Sequence, residues 1–118
     1  MSADREVLQE YLAMDEEELL EELGESLLGT GPGFSPSDFE RSIRFAQAWL
    51  GDRREELRRQ VCGEVWPKLE KGGGFDAMTD AAAVADSLRA LLGKPTAFIV
   101  AVILVRRGLG QLCSPGNH

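Results

Sequence analysis

Along the first quarter of the chain, apolar residues return every third or fourth position. Val7, Leu8, Tyr11 and Leu12 share one helical face in "DREVLQEYLAM". Leu19, Leu20, Leu23 and Leu27 do the same in "MDEEELLEELGESLLG", and this period is the signature of an amphipathic helix. Two helices are expected, with a tight joint at Ala13 to Asp15. Asp15 and Glu18 have the spacing of a capping box, with Asp in the place of Ser or Thr. "GTGPGFSPSD" breaks the pattern, because Gly29, Gly31, Pro32 and Gly33 do not sustain a helix. Ser35 is placed to cap the third helix, with Pro36 at its first position. Phe39, Ile43, Ala46 and Leu50 form its apolar stripe, and Trp49 lies beside it.

Gly51 is expected to end that helix and Asp52 to cap a fourth. In the fourth, Leu57, Val61, Val65 and Leu69 recur at every fourth residue. Pro67 should kink or end it near Val65 or Trp66, and "KGGGF" is a joint. In the fifth, capped by Thr79 or Asp76, the face is small at Ala81 and Ala85 and larger at Val84, Leu88, Leu91 and Leu92. Small residues let another helix approach closely. Gly93 stops it.

The last patterned stretch, "KPTAFIVAVILVRRGLG", has no polar side chain from Ala97 to Val105. That run is too short for a membrane span, which needs about twenty apolar residues. Ile99, Val100, Val102, Ile103 and Val105 are β-branched and favour a strand. No other segment reads as its partner, however, and a lone strand leaves backbone groups unpaired. A helix explains the flanks too, with Pro95 in the first turn and Arg106 and Arg107 near the C-terminal end. Phe98, Val102, Val105, Leu109 and Leu112 keep helical spacing, so the helix is expected to run on through Gly108 and Gly110. Greasy nearly all round, it must be buried by its neighbours. The expected fold is therefore all-α: a compact bundle of five or six helices around a hydrophobic C-terminal helix, with residues 1–118 as a single helical domain.

A chain of 118 residues buries about two-thirds of its unfolded surface, so this core needs neither metal nor disulfide. Cys62 and Cys113 stand far apart with no metal-ligand spacing, and two free thiols in a reducing compartment are expected. The opening "MSADREVLQE" carries acids and no apolar signal core, so the expected location is cytoplasmic. The excess of Arg over Lys suggests a bacterial coding sequence and has no structural weight.

Net charge is −7, and it is unevenly placed. Asp4, Glu6, Glu10, Asp15, Glu16, Glu17, Glu18, Glu21, Glu22 and Glu25 face only Arg5 in the same stretch. Such a field repels nucleic acid and favours a basic partner. Arg53, Arg54, Arg58 and Arg59 form the one dense basic patch, interrupted by Glu55 and Glu56. It reads as a solvated face or as an internal partner of the acidic helix.

Catalytic chemistry finds little support. The lone histidine is His118, the last residue, so no Ser-His-Asp or Cys-His set assembles without a frayed terminus. Glu17 with Glu21 and Glu18 with Glu22 could hold Mg²⁺ or Ca²⁺, but the loop pattern of a calcium site is missing, and no metal or cofactor is expected. "GTGPGFS" resembles an anion cradle without the Gly-Lys-Ser/Thr of a phosphate loop. Trp49, Trp66, Phe34 and Phe75 are expected in the core, and any exposed pair would mark an interface.

The expected function is a non-catalytic protein–protein interaction or regulatory module, adaptor-like. Its surfaces are Glu17, Glu18, Glu21 and Glu22 on one side and Arg53, Arg54, Arg58 and Arg59 on the other. The partner is another protein or a second copy of the chain, with no membrane role. Two alternatives stand beside it. One is anion or nucleic-acid binding through the arginines, and the other is a small metal-binding protein or enzyme using the N-terminal carboxylates.

Overall fold

The apolar run near the C-terminal end coils into a helix and leaves solvent almost entirely. In α7 (Lys94–Arg107), every residue from Thr96 to Leu104 is buried. Its β-branched residues each cost up to ~0.7 kcal/mol of helix propensity. Burying each side chain returns about 1.5–3 kcal/mol, so packing overrides local preference. At about 1.5 Å per residue the helix is ~21 Å long, short of a ~30 Å hydrocarbon core. Among the described residues no helix is long and apolar enough to cross a membrane.

The computed structural model describes residues 2–28, 36–72 and 76–113. Within them the chain is all-α. Before α7 come α1 (Ser2–Leu12), α2 (Glu16–Leu28), α3 (Pro36–Asp52), α4 (Arg54–Glu64), α5 (Trp66–Gly72) and α6 (Ala77–Leu92), and α8 (Leu109–Cys113) follows it. α7 packs most extensively on α6 and α2, then on α1 and α8. The buried side chains form one continuous cluster. Ala81 and Ala85 are fully covered, as expected of a small face that admits a close neighbour. Leu91 lies at the last turn of α6 and is exposed instead. Two polar anchors cross the core edge: Ser26 Oγ with Thr96 Oγ1 at 2.8 Å, and Gln60 Nε2 donating to Ser87 Oγ at 3.0 Å.

The expected start signals hold at two helices. The Glu18 N–H donates to Asp15 Oδ1 at 2.8 Å, and the Asp15 N–H donates to Glu18 Oε1 at 3.1 Å. Asp76 caps α6, accepting from the Thr79 N–H at 2.7 Å. Elsewhere the boundaries differ. α3 runs through Gly51 to Asp52, and Arg53, not Asp52, takes the N-cap of α4 with no side-chain bond. The break near Pro67 falls at Val65, which separates α4 from α5.

The helix through Gly108 does not continue as expected. Gly108 takes φ of 102°, a backbone conformation that side chains disfavour. Its N–H donates to the carbonyls of Leu104 and Val105 and closes α7. The reversal sends α8 back over the core, where Leu109 is buried. The segments beyond the breaks at Val65 and Gly108 are the two short helices, α5 and α8.

The reversal also overturns the expectation of free thiols. Cys113 at the end of α8 is disulfide-bonded to Cys62 of α4, with Cα atoms 5.4 Å apart. Sequence spacing carries no information on such a pair, because only the turn at Gly108 brings the two together.

α2 and α3 cross at a glycine. A Cβ on Gly24 would lie 2.3 Å from the backbone oxygen of Ser42, and Ser42 is itself fully buried. Gly63 in α4 has open space around it. Urea denaturation should therefore separate the two sites. Gly24→Ala should lose about 1–3 kcal/mol through overpacking, while Gly63→Ala should gain up to ~1 kcal/mol of helix propensity. For the disulfide, which spans 51 residues, loop closure predicts a loss of about 4 kcal/mol on Cys62→Ser with Cys113→Ser. Reduced wild-type protein should show the same denaturation midpoint as that double variant.

Candidate functional site

The acidic face follows from how α2 buries its leucines. Leu19, Leu20 and Leu23 are buried, which turns Glu17 and Glu18 out to solvent and leaves Glu21 and Glu22 half-buried. Partial burial pushes the Glu21 carboxyl above its ordinary range, and the charges of Glu25, Glu17, Glu18 and Asp15 add to the rise. Burial followed by Glu25 and Glu21 does the same to Glu22. The Tyr11 hydroxyl of α1 is raised by burial and by Glu22 and Glu10. Every charge that moves Glu21 and Glu22 is an acid, so the face is held against its own repulsion.

Basic residues at the two ends of α7 meet N-terminal acids. Lys94 Nζ lies 3.1 Å from Asp4 Oδ1, and this hydrogen bond holds the Asp4 carboxyl below its usual value. Arg107 Nε donates to Glu16 Oε1 at 3.0 Å, and Arg106 donates to the Leu12 carbonyl at 3.4 Å. These contacts fasten α1 and the start of α2.

The arginine patch is not that internal partner. α2 packs on α3 and α7, whereas α4 packs mainly on α5, α6 and α8. Instead the patch is partly neutralised on its own helix. Arg58 grips Glu55, with Nε at 2.8 Å from Oε1 and Nη2 at 2.9 Å from Oε2, and the bond lowers the Glu55 carboxyl. Arg53 reaches Glu56 at 3.4 Å. Its guanidinium also stands 4.9 Å over the Trp49 ring, within cation–π range. That contact was not foreseen, because the helix of Trp49 was expected to end at Gly51, whereas the Arg53 N–H continues the helical pattern onto the Trp49 carbonyl. Arg54 and Arg59 are exposed.

A feature not foreseen from the sequence lies where the α3–α4 joint faces the α7–α8 joint. A cavity of about 370 Å³ opens there. Gln47, Leu50, Arg54 and Leu57 form one wall. Leu104, Arg107, Gln111 and Leu112 form the other. Leu57 and Leu50 are buried, so the floor is apolar while both arginines stand at an exposed rim.

Among the described residues, no group of three or more His, Cys, Asp or Glu side chains is arranged to hold a metal. Ser35, Phe34, Phe75, His118 and the "GTGPGFS" stretch lie outside the described residues, as does the side chain of Phe39. Trp49 and Trp66 are half-buried against the core. Among the described residues, the exposed large apolar side chains are Leu28, Phe45 and Leu91. The chain matches no family model, no curated protein and no solved structure.

The repulsion on α2 has a measurable sign. Raised folded-state pKa values mean that the folded protein favours protonated Glu21 and Glu22, so their stabilising contribution exists at acid pH and is lost as pH rises through those values. Glu21→Gln with Glu22→Gln should therefore raise stability at pH 7 by about 0.5 kcal/mol, the scale of like-charge pairs on a helix. The gain should shrink toward zero in urea titrations at pH 4, where the wild-type carboxyls take up protons themselves.

Proposed function

We propose that the chain is a non-catalytic interaction module whose acidic α2 face docks on a basic protein surface. The observation that carries this reading is the crowding of Glu17, Glu18, Glu21 and Glu22 on the side of α2 away from its buried leucines, where burial first and acidic neighbours second raise Glu21 and Glu22. Carboxylates crowded on one face gain more from a cation than isolated ones do, because each new contact also relieves repulsion. The basic ends of α7 are engaged at the margin of the cluster, on Asp4 and Glu16. Electrostatic complementarity of this kind sets association rate and partner choice more than affinity. Exposed Leu28, at the C-terminal end of α2, supplies an apolar contact beside the acids.

The arginine patch supports a second surface less well. Arg53 and Arg58 already hold Glu56 and Glu55, which weakens both nucleic-acid binding and head-to-tail self-association through α4. The non-catalytic reading rests on composition, with a single histidine in the sequence. The cytoplasmic location expected from the sequence is no part of the proposal, since disulfides persist mainly in oxidising compartments.

The test uses the disulfide-bonded chain as bait in extract from the native host. The quadruple variant Glu17→Gln, Glu18→Gln, Glu21→Gln, Glu22→Gln serves as comparison, and it keeps a capping-box residue at position 18. Wild-type protein should retain a basic protein at 50 mM salt and release it by 300 mM, and the variant should retain at least tenfold less. Equal retention by both baits would remove α2 as the docking face. Arg58→Glu with Arg59→Glu should leave retention unchanged.

A further inference from the structure

We propose that the cavity between the α3–α4 and α7–α8 joints binds a small amphiphilic anion. Its acid group would sit between Arg54 and Arg107, and its apolar body on Leu50, Leu57, Leu104 and Leu112. The argument begins with size and lining. A volume of about 370 Å³ falls at the lower end of small-molecule sites, which are mostly apolar with a few convergent polar groups. Here the leucines come from all four helices that meet at the cavity, and the charged groups on the lining are both guanidinium ions.

Charge selects the ligand further. The protein as a whole carries −7, so a niche with two cations and no acid among its described lining residues runs against the overall field. Glu55 and Glu56 stand in the same first turn as Arg54 but are held by Arg58 and Arg53. Glu16 engages Arg107 through Nε. A guanidinium has five N–H donors, so that one bond leaves it able to bind a second acid group. α4 also starts at the cavity without a side-chain cap, and the positive end of its dipole adds to the attraction for an anion.

The site is built rather than incidental. The disulfide ties α8 to α4, and thus fixes the wall that carries Gln111 and Leu112 against the wall that carries Arg54 and Leu57. A wall held in place before binding lowers the ordering cost of the ligand. None of these residues belongs to the acidic face of α2, so the two proposals stand or fall separately.

Isotope-labelled, oxidised protein titrated by NMR tests the inference. The probes are octanoate, octyl phosphate, octylammonium and 1-octanol, each below its micelle concentration. At least one anion should cause saturable shifts at the amides of Gln47, Leu57, Leu104 and Gln111. The tighter of the two identifies the head group as carboxylate or phosphate. Octanol should bind at least tenfold more weakly, and octylammonium should leave these amides unmoved. Arg54→Gln should weaken anion binding at least fivefold, whereas Arg59→Gln, on the same helix outside the cavity, should not. The spectra themselves report whether each variant is folded. Octanol binding as tightly as the anions, equal losses at positions 54 and 59, or no saturable shift with either anion would overturn the proposal.

Discussion

The structure depends on the removal of α7 from water. Nine consecutive residues, from Thr96 to Leu104, are covered, and α1, α2, α6 and α8 pack on the helix that carries them. This explains why so many elements are short. A helix that is apolar on every side needs neighbours on every side, and a chain of this length supplies them only by turning often. Thr96 is the one polar side chain in that run, and its hydroxyl is satisfied by Ser26. The buried helix therefore carries almost no requirement for internal polar partners.

The same arrangement organises the charges. α7 is neutral along its middle and basic at both ends, and those ends reach the acidic N-terminal helices at Asp4, Leu12 and Glu16. Exposed ion pairs of this type contribute little to stability individually. Their effect here is positional: they meet the first acids of α1 and α2 and leave the crowded middle of α2 facing outward. A helix stabilised by its buried leucines can tolerate that crowding, and the tolerated repulsion is the basis for reading the face as a docking surface.

The pattern of side chains made most of the helices legible. Period and caps located α1, α2 and α6 closely, because the signals are local: a leucine stripe, a reciprocal Asp15–Glu18 box, an Asp76 cap. The apolar stretch was legible as a buried helix by elimination, since no second strand existed to pair with it. What local signals missed at the C-terminal end has one cause. At Gly108 helical spacing continued in the sequence, through Leu109 and Leu112, while the backbone turned away with positive φ. Glycine permits either course, and only the tertiary fit of Leu109 decides between them. The Cys62–Cys113 bond and the cavity both follow from that turn, so both were invisible for the same reason. At the site, the acidic residues were legible as a face, but their separation from the arginine patch was not, because it depends on which helices α4 chooses as neighbours.

The crossing at Gly24 has an implication for ancestry. A methyl group there would collide with the main chain of α3, so descent with this geometry tolerates glycine and almost nothing else at that point. Apolar positions around it are less constrained, since volume-conserving swaps among apolar side chains cost little. Kinship that ordinary alignment fails to detect would thus leave one trace: a solitary glycine inside an acidic, leucine-striped helix, opposite a small residue on the helix that follows.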